Sequence, residues 1–193
     1  MRPIDLSKVE EAKDFERVTP GGYVCGITNV NDVPGQEYLL IEYDIAEGNL
    51  KNYYRQLNDA KGFWGGKFVK SYREKALPFF KGFITAVENS NSGYKWNYDE
   101  TTLKRKLIGL VFGEEEYEAK DQNGVKTGEI KKRLYVANIH SADKIRSGDF
   151  TVPPLKKLAP SAASSAVVYP DFSATSAVPA VELVEVEDDD LPF

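Results

Sequence analysis

Leu39-Leu40-Ile41-Glu42-Tyr43-Asp44-Ile45-Ala46 is the stretch that decides the fold. Leu39, Ile41, Tyr43 and Ile45 alternate with Leu40, Glu42, Asp44 and Ala46. A period of two belongs to a strand with one face buried and the other wet. Upstream, Gly21-Gly22 opens an apolar run, Tyr23-Val24-Cys25-Gly26-Ile27, that reads as a strand over residues 23–30. The breakers Asn31-Asp32-Val33-Pro34-Gly35 lie between the two strands, so the pair reads as a hairpin with a loop of several residues. Gly48-Asn49 ends the second strand.

Residues 51–72 hold Tyr53, Tyr54, Phe63, Trp64, Phe68 and Tyr72, broken by Gly62, Gly65 and Gly66. They are expected to form a strand followed by an aromatic, glycine-rich loop. Phe79, Phe80, Phe83, Ile84 and Val87 recur at helical spacing, with Pro78 suited to the first turn, and are expected in the core. Asp99 is placed to cap a short helical segment reaching Lys104. Leu107 to Phe112 is a continuous apolar run, a strand buried on both faces, that extends through Glu114-Glu115-Glu116. A turn at Asp121-Gln122-Asn123-Gly124 leads to its partner over residues 132–141. A further helical turn is expected near residues 7–12.

The fold class this predicts is mainly β with one or two helices. The expected form is an OB-fold-like five-stranded barrel, helix before the last hairpin, plus a disordered acidic C-terminal tail. The same order also fits other small β-barrels. The expected division is a binding domain over residues 1–157, a flexible linker over 158–184 and an acidic protein-interaction tip over 185–193. The linker is mostly Ala, Ser, Val and Pro from residue 159 to 180, which buries too little apolar surface to offset the entropy of ordering.

Charge divides the same way. All 25 Lys and Arg precede Leu158, whereas seven of the 30 acidic residues follow it. The overall charge of −5 therefore hides a weakly basic domain tied to an acidic tail, a split that points to a polyanionic partner. Cys25 is the one cysteine, expected as a buried thiol, so no internal disulfide forms. The chain opens without an apolar leader and has no run of transmembrane length. A cytoplasmic protein of a bacterial host cell, with no membrane partner, is expected.

Residues 51–106 hold twelve basic against five acidic residues, and residues 53–98 hold twelve of the 23 aromatics. Cations that track phosphates, interleaved with rings that stack on bases, suit single-stranded nucleic acid. The candidate DNA-binding residues are Lys51, Tyr53, Tyr54, Arg55, Phe63, Trp64, Lys67, Phe68, Lys70, Tyr72, Arg73, Lys104 and Arg105. Lys131, Lys132 and Arg133 form a second basic cluster beside the last hairpin, which reads either as a DNA contact or as a solvated hairpin end. Trp64 is expected exposed in its loop, with the nearby glycines letting DNA approach. Trp96 fits either core or surface. No catalytic site, metal or cofactor is expected: His140 is the single histidine, and no phosphate-cradling glycine loop is present.

The end of the chain is Asp188-Asp189-Asp190-Leu191-Pro192-Phe193. An apolar triplet beside a free carboxylate suits a pocket with an apolar floor and a basic rim. This hexapeptide resembles the C-terminal tip of bacterial single-stranded-DNA-binding proteins, most closely those of low-GC Gram-positive bacteria. In that family the tip recruits replication, repair and recombination proteins. The domain is similar to phage and prophage OB-fold single-stranded-DNA-binding proteins of Gram-positive bacteria. That resemblance is carried by Gly21-Gly22-Tyr23-Val24-Cys25, Ile41-Glu42-Tyr43-Asp44-Ile45-Ala46-Glu47-Gly48 and Gly62-Phe63-Trp64-Gly65-Gly66. It implies a non-enzymatic protein that coats single-stranded DNA during phage replication or recombination and captures host or phage enzymes through its tip. A protein-interaction module that imitates the host tip, diverting host repair and replication factors, is the alternative. A homo-oligomer is left open.

Overall fold

The alternating stretch becomes strand β2 (Tyr38–Ile45), paired antiparallel with β1 (Gly21–Val33). The computed structural model describes residues 16–158. The expected turn near residues 7–12, the rest of the linker and the acidic tip lie outside them. The register between β1 and β2 shifts between Ile27 and Asn29, which leaves Thr28 as the extra residue of a bulge. Strand β3 (Lys67–Ser71) adds to β2, β4 (Leu107–Lys120) adds to β1, and β5 (Lys126–His140) adds to β4. The result is a five-stranded antiparallel sheet in the order β3-β2-β1-β4-β5. This order is compatible with an OB-fold, whose barrel is partly open. The expected barrel is corrected in one respect: the sheet is not closed, and β3 and β5 are its edges.

The strand expected early in residues 51–72 is instead helix α1 (Tyr53–Lys61). Asn52, at the helix start, makes no side-chain cap. The cap comes from Asp44 on β2, whose Oδ1 accepts from the Tyr54 and Ile45 N–H groups and whose Oδ2 accepts from the Arg55 N–H. A buried carboxylate at a helix N-terminus satisfies orphan donors and complements the helix dipole. Gly62, at φ 73°, closes the helix in the left-handed conformation.

Helix α2 (Leu77–Ser90) carries Pro78 in its first turn and buries Phe80, Phe83, Ile84 and Val87 against the sheet. Phe79 is corrected from core to surface, at 62 % exposed. It lies roughly 100° around the helix from Phe80 and so falls on the flank of the apolar stripe. Asp99 caps the 3-10 helix Glu100–Leu103 as expected, its Oδ1 accepting from the Thr101 N–H at 2.9 Å.

The core lies between the inner side of the sheet and α2. Cys25, Ile27, Ile41, Ile45, Ile108, Leu110 and Phe112 meet Phe83 and Leu103 there. Strand β4 is buried on both sides, as expected. Its outward Val111, with Val24 of β1, packs under Ala142 and Ile145 of helix α3 (Ala142–Arg146) and beside Phe150. Gly109 and Gly22 make that packing possible, because a Cβ on either would lie 2.5 Å from Ile145 or Phe150 respectively. No helix among the described residues is long and apolar enough to cross a membrane.

Candidate nucleic-acid interface

The outer side of the sheet is divided. Over β1 and β4 it is covered by α3 and Phe150. Over β1, β2 and β3 the register sets out three rows that face away from the core: Asn31-Leu40-Val69, Asn29-Glu42-Lys67 and Val33-Tyr38-Ser71. All nine residues are exposed or half-buried, and Val69 is 43 % exposed. The face combines amides, an aromatic ring, small apolar groups and one ion pair, Lys67 to Glu42 at 3.1 Å. Tyr38, Leu40, Val69, Asn29 and Asn31 escape the sequence reading. The alternation along residues 39–46 already put Leu40 opposite the buried set, but the strand at residues 67–71 is needed to complete the surface.

The candidate aromatics separate into surface and core. Phe63 is exposed, at 53 %. Tyr54 is corrected to a core residue: its ring sits edge-on to Tyr43 at 5.3 Å and is unavailable to a base. Burial pushes its phenol pKa up to about 12. Phe68 is half-buried against Tyr43 and Phe83. Tyr53 is half-buried, edge-on to Tyr54. Trp64, expected exposed, is half-buried against the core and donates its indole N–H to the Gly66 carbonyl at 3.0 Å. The same carbonyl accepts from the Tyr43 N–H. A Cβ at Gly66 would collide with the Tyr43 carbonyl oxygen and the Tyr54 ring. The glycine there permits packing of the loop on the core rather than approach of a ligand. Tyr72 is half-buried and donates its hydroxyl to Asp32 Oδ1 at 2.8 Å, a bond that raises its pKa.

The basic candidates also divide. Lys131 pairs with Glu129 at 3.1 Å, Lys132 with Glu114 at 3.6 Å and Arg133 with Glu115 at 2.7 Å. Burial draws the pKa of Lys70 down. Lys51, Arg55, Arg73, Lys104 and Arg105 are exposed and make no salt bridge with a described residue. Lys51 and Arg55 lie at the start of α1 beside β2. Arg73 follows β3, and Lys104 with Arg105 precedes β4. These unpaired cations lie beside the end of β2, just after β3 and, with the Arg105 backbone on Ile27 of β1, just before β4, while the hairpin cluster is locally neutralised. His140 is half-buried at the end of β5 opposite Gly109. Among the described residues no group of three or more His, Cys, Asp or Glu is placed to hold a metal.

No family model matches the chain, and no curated protein matches it.

Proposed function

We propose that the chain binds single-stranded DNA, without catalysis and without strong sequence preference, during phage DNA replication or recombination. In this reading the tip residues Asp188, Asp189, Asp190, Leu191, Pro192 and Phe193 recruit host or phage replication, repair and recombination proteins. One observation carries the proposal. No described residue packs over the outer side of β2–β3, the face on which OB-folds hold oligonucleotides, and Lys51, Arg55 and Arg73 stand exposed at its ends, whereas the same side of β4 is covered by α3. Amides and small apolar groups with one ring, rather than bidentate base-reading forks, suit binding that tolerates any sequence.

A second reading is a protein-interaction module. It is favoured by the internal pairing of Lys67, Lys131, Lys132 and Arg133, which takes four of the ten candidate cations out of play. Mobility shift with oligo-dT and with a duplex of equal length separates the two. Binding of oligo-dT in preference to the duplex is the expected outcome. Failure to shift either would discard the DNA reading. Val69→Asp, placing an anion on the exposed face, is expected to weaken the shift while leaving the melting temperature within a few degrees.

A further inference from the structure

An aromatic series leaves the core at the end of β3 and climbs to the surface away from the sheet face. Tyr72 meets Phe80 edge-on at 6.1 Å, Phe80 meets Trp96 at 5.4 Å, and Trp96 lies under Tyr98 at 4.9 Å with the planes 41° apart. Tyr98, the last ring, is 86 % exposed. Its backbone sits at φ 66°, in the left-handed region that a bulky residue rarely adopts.

The loop that holds it is heavily tied. Trp96 donates its backbone N–H to Glu88 Oε1 at 3.0 Å, and Lys95 pairs with Glu88 Oε2 at 2.9 Å. Asn97 Oδ1 accepts from the Asp99 N–H, and the Tyr94 and Thr102 hydroxyls share a hydrogen bond of 2.8 Å. Asn91 bridges the end of α2 to the start of β4 by accepting from the Leu107 N–H and donating to the Leu107 and Val87 carbonyls. An unusual backbone conformation persists where the surroundings over-determine it, and such places concentrate at ligand contacts. Burial gives no reason for this one, because the ring it presents is in water.

Cations stand at both ends of the series, among the carboxylates of Asp32, Glu37 and Glu100 that act on Tyr72. Lys104 and Arg105 are exposed, and Lys104 follows the 3-10 helix that Asp99, the neighbour of Tyr98, begins. At about 2 Å rise per residue the two ends of that helix are roughly 10 Å apart. Arg73 follows Tyr72 at the other end of the ring series. The carboxylate of Asp99 is engaged by the Thr101 N–H and hydroxyl. A rigid exposed ring backed by an indole, with cations at both ends of the series, matches a base flanked by phosphates.

We propose that Tyr98, supported by Trp96, is a base-stacking platform for single-stranded nucleic acid, set off the sheet face and reached by longer strands. This rests on the DNA-binding reading above and extends the path of the strand from β2–β3 across the start of α2. The full chain with Trp64→Phe leaves Trp96 as the sole tryptophan and reports on the platform directly. Oligo-dT of two lengths is titrated into it, one near the lower and one beyond the upper end of the roughly 4–16 nucleotides that an OB module covers. The longer oligo is expected to quench Trp96. Tyr98→Gly in that background relieves the backbone strain, so the melting temperature holds. It is expected to weaken the longer oligo by roughly five- to a hundredfold and to remove the quench. Tyr98→Phe, which keeps the ring, is expected to retain both affinity and quench. If the background protein binds both oligos and Tyr98→Gly changes neither affinity nor quench, the platform is refuted and the DNA reading stands. A loss equal for both lengths with a lowered melting temperature also refutes it, as a structural role. If the background protein and the parent chain bind neither oligo, the DNA reading falls and the platform with it.

Discussion

The proposed DNA binding carries a salt dependence that follows from which cations the fold leaves free. Ten basic residues were candidates from the sequence. Four are held by carboxylates, Lys67 by Glu42, Lys131 by Glu129, Lys132 by Glu114 and Arg133 by Glu115, and Lys70 is half-buried. That leaves Lys51, Arg55, Arg73, Lys104 and Arg105 to meet phosphates. Each phosphate neutralised on a single strand contributes about −0.7 to the slope of log K against log salt, so five give about −3.5. Raising salt from about 50 to about 200 mM then weakens binding about a hundredfold, whereas ten contacts would give a slope near −7 and a loss of about ten-thousandfold. The assay is fluorescence anisotropy with labelled oligo-dT at several salt concentrations. Lys104→Ala is expected to flatten the slope by about 0.7, and Arg133→Ala to leave it within error of the parent. A slope near zero would remove the phosphate contacts altogether. One near −7 would show that the paired lysines and Arg133 exchange their carboxylates for DNA, against the reasoning from the ion pairs.

Three further outcomes are expected. Asp44→Ala strips three backbone N–H groups of an ionised acceptor and should cost about 2–4 kcal/mol in urea denaturation, with Asp44→Asn recovering part; a loss under about 0.5 kcal/mol would count against the cap. Burial holds the Cys25 thiol well above its ordinary range, so its contribution is intact below the unfolded thiol pKa of about 8.5 and declines as pH rises beyond it. Melting temperatures between about pH 7 and pH 10 should fall less steeply in Cys25→Ala than in the parent, and parallel curves would reject the linkage. Phe193→Ala keeps every side-chain charge and should abolish capture of replication and repair proteins from a Gram-positive lysate; unchanged capture would reduce the tip to a solubilising end.

What was legible in the sequence was period and punctuation. Residues 39–46 alternate because the core needs one face of β2, and the apolar run from Leu107 to Phe112 is continuous because α3 covers the face that the core does not. Helix α1 was hidden for a tertiary reason. Its own sequence offers no cap, and the carboxylate that starts it stands on β2, eleven residues before Arg55. Asp44 looked like one more wet position of an alternating strand. Aromatic content misled in a similar way, because the same rings build the core and the surface. Tyr54 and Phe68 turn inward while Phe63 and Tyr98 turn out, and only register and helix phase separate them. Charge shows the limit most clearly. A count along the chain finds twelve basic residues between positions 51 and 106, but only the fold says which of them already have partners. Lys67 is spent on Glu42 and Arg133 on Glu115 because each pair stands directly opposite across its strands. A face defined by residue type takes in all of residues 51–106, with the hairpin cluster as a second patch. Defined by unpaired charge it shifts to the start of α1, the end of β3 and the loop before β4, where Tyr98 stands.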